Sequence, residues 1–185
     1  MAFLAKGDLK KIFSGLSSIY IAKGGINDFA NMTFDWDMPV TVDTFNFTQE
    51  QPTLNRTKVH GLQADWCVTA EAGEITISAT VPSIDADLVD YFLGAGTAIA
   101  DATVTAASAT TGWSGKSYTL TNNKLYVGLG LLSDDGNNLV AIKRIALYAT
   151  PMFENASTTP FGFTLTGSIE ASDDSTNNIV FLSKA

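Results

Sequence analysis

The sequence predicts a mainly β protein with one short α-helix, and three observations lead to that class. Between Glu74 and Val81, and again between Phe161 and Ala171, apolar and polar residues alternate strictly, which is typical of strands with one face in a core. Only the residues at about 83–93 carry an apolar helical stripe. The side chains predicted to face the core are Ile75, Ile77, Ala79, Val81, Phe161, Phe163, Leu165 and Ile169.

The predicted helix follows the first alternating strand directly. Pro82 cannot donate a hydrogen bond to a sheet, so the strand is expected to end there. Ser83 is the predicted N-cap, Asp85 and Asp87 suit the positive end of the helix dipole, and Gly94 suits the C-terminal stop. The buried stripe is predicted to contain Ile84, Leu88, Tyr91 and Phe92.

The other elements are predicted from shorter patterns. Strands are expected at residues 18–23, 53–60, 66–71, 139–150 and 179–182, and an extended segment divided by Pro39 at 32–47. Residues 116–121 and 124–132 are predicted to form a hairpin across Asn122 and Asn123. The apolar side chains that share one face of its second arm are Leu125, Val127, Leu129 and Leu131. Residues 1–15 are an N-terminal arm, and residues 95–112, rich in Ala and Thr, are a long loop. No linker divides the chain, so residues 1–185 are expected to form a single domain.

Composition limits the function. Of the 185 residues 16% are charged, with 11 Lys and Arg against 19 Asp and Glu, for a net charge of -8. This balance argues against tight nucleic-acid binding, which needs cations on phosphates, but not against loose passage of nucleic acid. The low charge suggests that other protein covers part of the surface. No apolar run is long enough for a membrane span, so we expect a soluble protein made in the cytoplasm.

Residues with catalytic chemistry are scarce. His60 is predicted to be structural, within a strand, and the single cysteine, Cys67, is predicted to face the core or a neighbouring strand. Asp35 and Asp37 would share one face of a strand, as paired carboxylates do in glycosidases. The acidic segments at 134–138 and 173–174 lack the spaced ligands of a calcium loop and are predicted to be turns. We therefore predict no catalytic, cofactor-binding or metal site, and no enzyme.

The order of the elements resembles a known family. A strand near the N-terminus (SIYIAKGG) precedes a meander, then a strand leads through a proline into one helix (EITISATVPSIDADLVDYFLG), and an alternating strand (FGFTLTGSIEA) comes near the C-terminus. This pattern resembles the major tail tube proteins of tailed bacteriophages, which are similar in fold to the type VI secretion tube protein. The resemblance implies a β-sandwich or barrel of two roughly orthogonal antiparallel sheets with the helix at its flank. It also implies hexameric rings that stack into the virion tail, assembled in the host cytoplasm with other tail proteins, and DNA passing through the lumen.

The outward residues of the two alternating strands agree with this reading. They are hydroxyl side chains where an exposed strand usually carries charge: Thr76, Ser78, Thr80, Thr164, Thr166 and Ser168. Such a face suits contact with a neighbouring sheet or the wall of a wet channel, and we expect the lumen to be uncharged or acidic. The arm at 1–15 and the loop at 95–112 are expected to contact neighbouring subunits.

Three alternatives stay open at this point. One is a tube protein of a secretion system. Another is a β-sandwich binding module, possibly for carbohydrate, with Trp36, Trp66 or Trp113 as a stacking platform. A third is a hydrolase that uses Asp35 and Asp37.

Overall fold

A computed structural model describes residues 13–41, 43–105, 110–153, 160–171 and 178–184. It is 52% strand and 5% helix, and its strands form several antiparallel sheets. The strands are β1 (Ser18–Lys23), β2 (Trp36–Asp37), β3 (Asn46–Gln49), β4 (Thr53–Thr57), β5 (Cys67–Glu71), β6 (Ile75–Val81), β7 (Thr97–Val104), β8 (Thr110–Ser117), β9 (Leu125–Leu132), β10 (Asn138–Met152), β11 (Gly162–Ile169) and β12 (Ile179–Ser183). The helix is α1 (Ala86–Leu93). The predicted mainly β class with one short helix is confirmed, while the orthogonal packing of two sheets stays a prediction.

Two compact units make up the described structure. The first unit contains the described parts of residues 1–38, 126–145 and 170–185, and the second contains those of 39–125 and 146–169. The long strand β10 contributes residues to both. The expectation of a single domain stays a prediction.

The first unit is built around β9, which is covered on both faces. Its strands follow the order β2, β1, β9 and β10, and β12 pairs with β10. Val127, Leu129 and Leu131 are buried on one face of β9 as predicted, and the glycines between them are buried as well. A Cβ on Gly128 would lie 2.5 Å from Ile26 Cγ1, and one on Gly130 would lie 2.6 Å from the Phe34 ring. The face of β9 that contains Gly128 and Gly130 therefore accepts Ile26 and Phe34, because these two positions have no side chains.

The second unit places the two alternating strands side by side. Strands β10, β11, β6 and β3 are successive neighbours, and β6 pairs antiparallel with both β11 and β3. The buried side chains of β6 and β11 are Ile77, Ala79, Val81, Phe163 and Leu165. Helix α1 packs on this layer, since the Phe92 and Phe163 rings meet edge to face at 5.0 Å between centroids. The predicted core positions Ile77 and Leu165 are confirmed.

The helix begins later than predicted. Its N-cap is Asp85, whose side chain accepts a hydrogen bond from the Asp87 N–H at 3.0 Å, and not Ser83. The Ser83 hydroxyl accepts instead from the Asp85 N–H. Because both residue types can cap, sequence alone did not separate them. Consequently Ile84 precedes the helix and is 64% exposed, while Leu88, Val89 and Phe92 are buried.

The predicted long loop at 95–112 is wrong, because most of its described residues lie in the antiparallel hairpin β7–β8. The register of the pair shifts between Ile99 and Ala102, and Asp101 adopts a φ of 52° at this irregularity. A bulge interrupts the period of two that identifies a strand. The hairpin predicted across Asn122 and Asn123 is also wrong, since β8 pairs with β7 and β9 pairs with β1.

Among the described residues of the segment predicted to be extended at 32–47, only those of β2 and the start of β3 lie in strands. A turn lies where the alternation slips, with the Thr44 N–H bonded to the Thr41 carbonyl and a φ of 62° at Asp43. Residues 1–12 of the predicted arm and the predicted turn at 173–174 lie outside the described residues.

Candidate assembly surfaces

An uncharged polar face covers the outside of three strands in the second unit. The register places Thr80 opposite Thr164, and Ser78 opposite both Thr166 and Asn46. Thr48 lies opposite Thr76, and their hydroxyl oxygens are 3.0 Å apart. Residues directly opposite in an antiparallel pair point to the same side, so these seven side chains share one face. We call Asn46, Thr48, Thr76, Ser78, Thr80, Thr164 and Thr166 the hydroxyl face.

The β4–β5 hairpin forms a two-stranded sheet of its own, and every residue in both of its strands is exposed. Its two sides differ in character. One side, the Trp66 face, carries Leu54, Arg56, Trp66, Val68 and Ala70, and the other, the threonine face, carries Thr53, Asn55, Thr57, Cys67, Thr69 and Glu71. A hairpin with no third strand is only marginally stable in water. Three of its exposed apolar side chains, Leu54, Trp66 and Val68, lie on the Trp66 face.

The β7–β8 hairpin also forms a separate two-stranded sheet, and α1 holds its base. The Asp90 carboxylate accepts hydrogen bonds from the Lys116 ammonium, the Tyr118 hydroxyl at 2.7 Å and the Gly96 N–H at 3.4 Å. The Asn123 amide donates to the carbonyl of Leu93 at 3.0 Å, which satisfies one group at the end of the helix. These contacts tie the base of the hairpin to the C-terminal half of α1.

The hydrogen bonds around Asp90 shift the pKa values of the participating side chains in opposite directions. The hydrogen bond from Lys116, and then the one from Tyr118, lower the pKa of the Asp90 carboxyl. The same bond to Asp90 raises the pKa of Lys116. Burial, followed by the bond to Asp90, raises the pKa of Tyr118. All three shifts favour an ionised Asp90 beside a protonated Lys116 and a protonated Tyr118.

Replacing Asp90 with Asn is expected to lower the melting temperature at neutral pH. Because the pKa of Asp90 is lowered on folding, its contribution is present above the unfolded value of about 3.9 and is lost as pH falls through the folded value. Because the pKa of Lys116 is raised, its contribution is lost as pH rises through a folded value above about 10.4. The difference in melting temperature from the wild type should therefore narrow at both extremes, measured by circular dichroism between pH 2 and 11.

Asp101→Asn is the matched control for this variant. It removes one negative charge from the hairpin that Asp90 contacts, at a positive-φ position that Asn tolerates. Asp101 takes part in none of the hydrogen bonds of the Asp90 network. A difference in melting temperature from the wild type that is constant across pH, or equal in the two variants, would contradict the stabilising role of the Asp90 network.

The paired carboxylates predicted from sequence bind the neighbouring strand. The Asp35 carboxylate accepts from the Lys23 N–H at 2.7 Å, and the Asp37 carboxylate accepts from the Ser18 hydroxyl at 3.2 Å. The Lys23 ammonium lies 3.8 Å from the centre of the Trp36 ring. These contacts attach the edge strand β2 to β1.

His60 lies in a turn after β4, so its prediction as a strand residue is wrong, and its side chain is exposed. Cys67 pairs with Thr57 on the neighbouring strand as predicted, but it is exposed and does not face a core. Trp66 and Trp113 are exposed, at 67% and 57%. Among the described residues, no group of three or more His, Cys, Asp or Glu side chains is placed to hold a metal ion.

The predicted turn at 134–138 is confirmed as a tight connection between β9 and β10. The Ser133 hydroxyl is fully buried, accepts from the Asn138 N–H at 3.0 Å and donates to the Asp135 carboxylate. The bond from Ser133, then that from the Asn137 N–H, lower the pKa of Asp135. The Asp135 carboxylate therefore binds its own turn.

Two features were not found from sequence. The Asp90 network joins residues 26 and 28 positions apart, and no local pattern marks such a contact. The two faces of the β4–β5 hairpin are visible as an alternation, but without a hydrophobic run to draw attention to it.

No protein-family model matches the chain, and a search of curated proteins found no match. Within the residues that the structure describes, no helix is long and apolar enough to cross a membrane.

Proposed function

We propose that this protein is a structural subunit of a bacteriophage tail. Its subunits form hexameric rings, the rings stack into a tube in the virion, and genomic DNA leaves through the lumen. Other tail proteins meet the tube at its ends, and no catalysis is required of the chain. The observation that carries this proposal is the hydroxyl face of β3, β6 and β11.

The hydroxyl face suits the wall of a DNA channel for an electrostatic reason. Duplex DNA carries one charge for about every 1.7 Å of its axis, and each cation that pairs with a phosphate adds affinity. Many such contacts along a tube would hold the DNA in place. The seven side chains of the hydroxyl face carry no charge, and β6 and β11 bury side chains of their opposite face in the core. A wall of this kind offers hydrogen bonds to water and no cation to pair with phosphate.

The Trp66 face supports self-assembly. Leu54, Trp66 and Val68 are each about half exposed or more on a hairpin that has no third strand. A partner that covers this face would remove apolar surface from water and stabilise the hairpin at the same time. In a ring of identical subunits that partner is a second copy of the chain.

Electron microscopy of concentrated protein, combined with sedimentation velocity, tests the proposal. Rings with six subunits, or tubes made of them, are expected, and added duplex DNA should not co-sediment at physiological salt. A monomer at every concentration, alone and with a tail initiator complex, would contradict assembly. Tight DNA binding by the assembled form would contradict the assignment of the hydroxyl face to the wall of the channel. Passage of a protein instead of DNA through the same tube would favour the secretion-system alternative.

A second candidate is a binding module for carbohydrate, favoured by the exposure of Trp66 and Trp113. An exposed indole ring can stack on a sugar face. Titration of the monomer with soluble oligosaccharides, followed by tryptophan fluorescence, distinguishes the two candidates. A saturable change that Trp66→Ala or Trp113→Ala abolishes would favour the binding module over the tube subunit.

A further inference from the structure

The first unit contains an apolar groove of about 360 Å³ beside the β9–β10 turn. Leu132 and Leu139 come from the strands on either side of the turn, and Leu182 comes from β12. Leu139 lies directly opposite Leu182 in the β10–β12 ladder, so both side chains point to the same side. Past the end of β12, the Lys184 N–H bonds to the Asn137 carbonyl at 2.9 Å and closes one end of the groove.

The described chain begins against the wall of this groove. The Ser17 N–H bonds to the Leu132 carbonyl at 2.9 Å, and the Asp134 N–H bonds to the Ser14 carbonyl at 3.4 Å. Between them Gly15 has a φ of 66°, and a Cβ there would lie 1.7 Å from an Asp134 carboxylate oxygen. Glycine at this position lets the backbone pass close to the Asp134 carboxylate, so the chain lies against the turn here.

The twelve residues before Phe13 have the chemistry to fill the groove. They include the apolar side chains of Phe3, Leu4, Leu9 and Ile12. They also include Lys10 and Lys11, and Asp134 and Asp135 lie at the turn where the described chain begins. Twelve residues span at most about 40 Å when extended, and the groove adjoins their point of attachment. A segment attached so closely has an effective concentration on the order of millimolar, which no second copy matches in dilute solution.

We propose that residues 1–12 dock in this groove of their own chain, with an apolar side chain of the segment against Leu139 and Leu182. The inference concerns the free subunit and does not depend on the proposed tail function. Docking would cover apolar surface that the described fold leaves in water, and it would bring Lys10 and Lys11 towards the acidic turn.

Thiol labelling tests this directly, because β12 offers neighbouring positions on opposite faces. In a Cys67→Ser background, Leu182→Cys places a thiol in the groove and Phe181→Cys places one on the outer face, where Phe181 is 74% exposed. Each of these two cysteine variants is prepared in three chains. They are the full chain, a chain lacking residues 2–12, and a full chain in which Phe3, Leu4 and Leu9 are all replaced by Ser. Labelling by a small maleimide is followed at micromolar protein by mass spectrometry.

The Leu182→Cys thiol is expected to react severalfold more slowly in the full chain than in either altered chain, because the attached segment covers the groove at an effective concentration on the order of millimolar. The Phe181→Cys thiol should react at one rate in all three. Equal rates at Leu182→Cys in the full and triple-serine chains would overturn the proposal, whatever the truncated chain does. Protection that rises with protein concentration would also overturn it, since the segment would then come from a second copy.

Discussion

Leu165→Asp is expected to leave the protein unfolded at room temperature. Leu165 is 4% exposed and lies opposite Ala79 in the β11–β6 ladder, in the core of the second unit. An unpaired charge in such a site costs several kcal/mol, against a total stability of about 5–15 kcal/mol for an ordinary domain. Ile77→Asp, on the neighbouring strand and also 4% exposed, should have the same effect. Circular dichroism and the elution volume on a sizing column report the loss of fold.

Thr166→Asp and Thr76→Asp are the matched controls. Each introduces the same charge one position away in the same strand, at a side chain that is exposed. They should fold with melting temperatures close to that of the wild type, since isolated surface substitutions usually change stability by no more than about 0.5 kcal/mol. Core and control variants that melt alike would mean that the assigned faces of β6 and β11 are wrong.

These two strands were predictable from sequence because each has one buried and one exposed face. That condition produces the period of two in Ile77 to Val81 and in Phe163 to Leu165. In β9 the same period identified Val127, Leu129 and Leu131 correctly, but the opposite face is buried too. Glycine at 128 and 130 carried no hydrophobic signal, although its lack of a side chain admits Ile26 and Phe34.

The β7–β8 hairpin could not be predicted for two physical reasons. Its register shifts around Asp101, so the alternation is broken within the strand. Its described strand residues in β7 are mostly exposed, so burial imposes no apolar pattern on them. The contact that anchors the hairpin, from Asp90 to Lys116, joins a helix to a strand far along the chain and depends on the tertiary fold.

The two candidate surfaces also differ in whether the sequence predicts them. The hydroxyl face was predictable, because Thr76, Ser78 and Thr80 alternate with core residues that fix their direction. The Trp66 face was not, because no described part of the chain covers it, and Trp66 is expected to be covered only on assembly. A surface covered by another molecule leaves a weak pattern in the strand that bears it.

Trp66→Ser combined with Val68→Thr is expected to abolish assembly and to leave the subunit folded. Both side chains lie on the exposed Trp66 face of the β4–β5 hairpin, outside the core of the second unit, so their loss should not lower the melting temperature of the monomer. A buried tryptophan at an interface commonly contributes about 2 kcal/mol or more, close to a 30-fold change in affinity. A closed ring repeats the same contact at every junction, so the loss multiplies. Sedimentation velocity of the concentrated variant should show a single monomeric species.

Thr57→Ala combined with Thr69→Ala is the control on the opposite side of the same hairpin. It changes one residue in each strand of the β4–β5 hairpin, as a test of the hairpin's own stability, while the Trp66 face stays intact. Loss of assembly in both variants would mean that assembly requires only a folded hairpin, and that neither of its faces is the contact. Assembly retained in the Trp66→Ser, Val68→Thr variant would exclude the Trp66 face from the subunit interface. Assembly lost only in that variant would identify the Trp66 face as the side that a second copy covers, because the two variants then differ in the face that they alter.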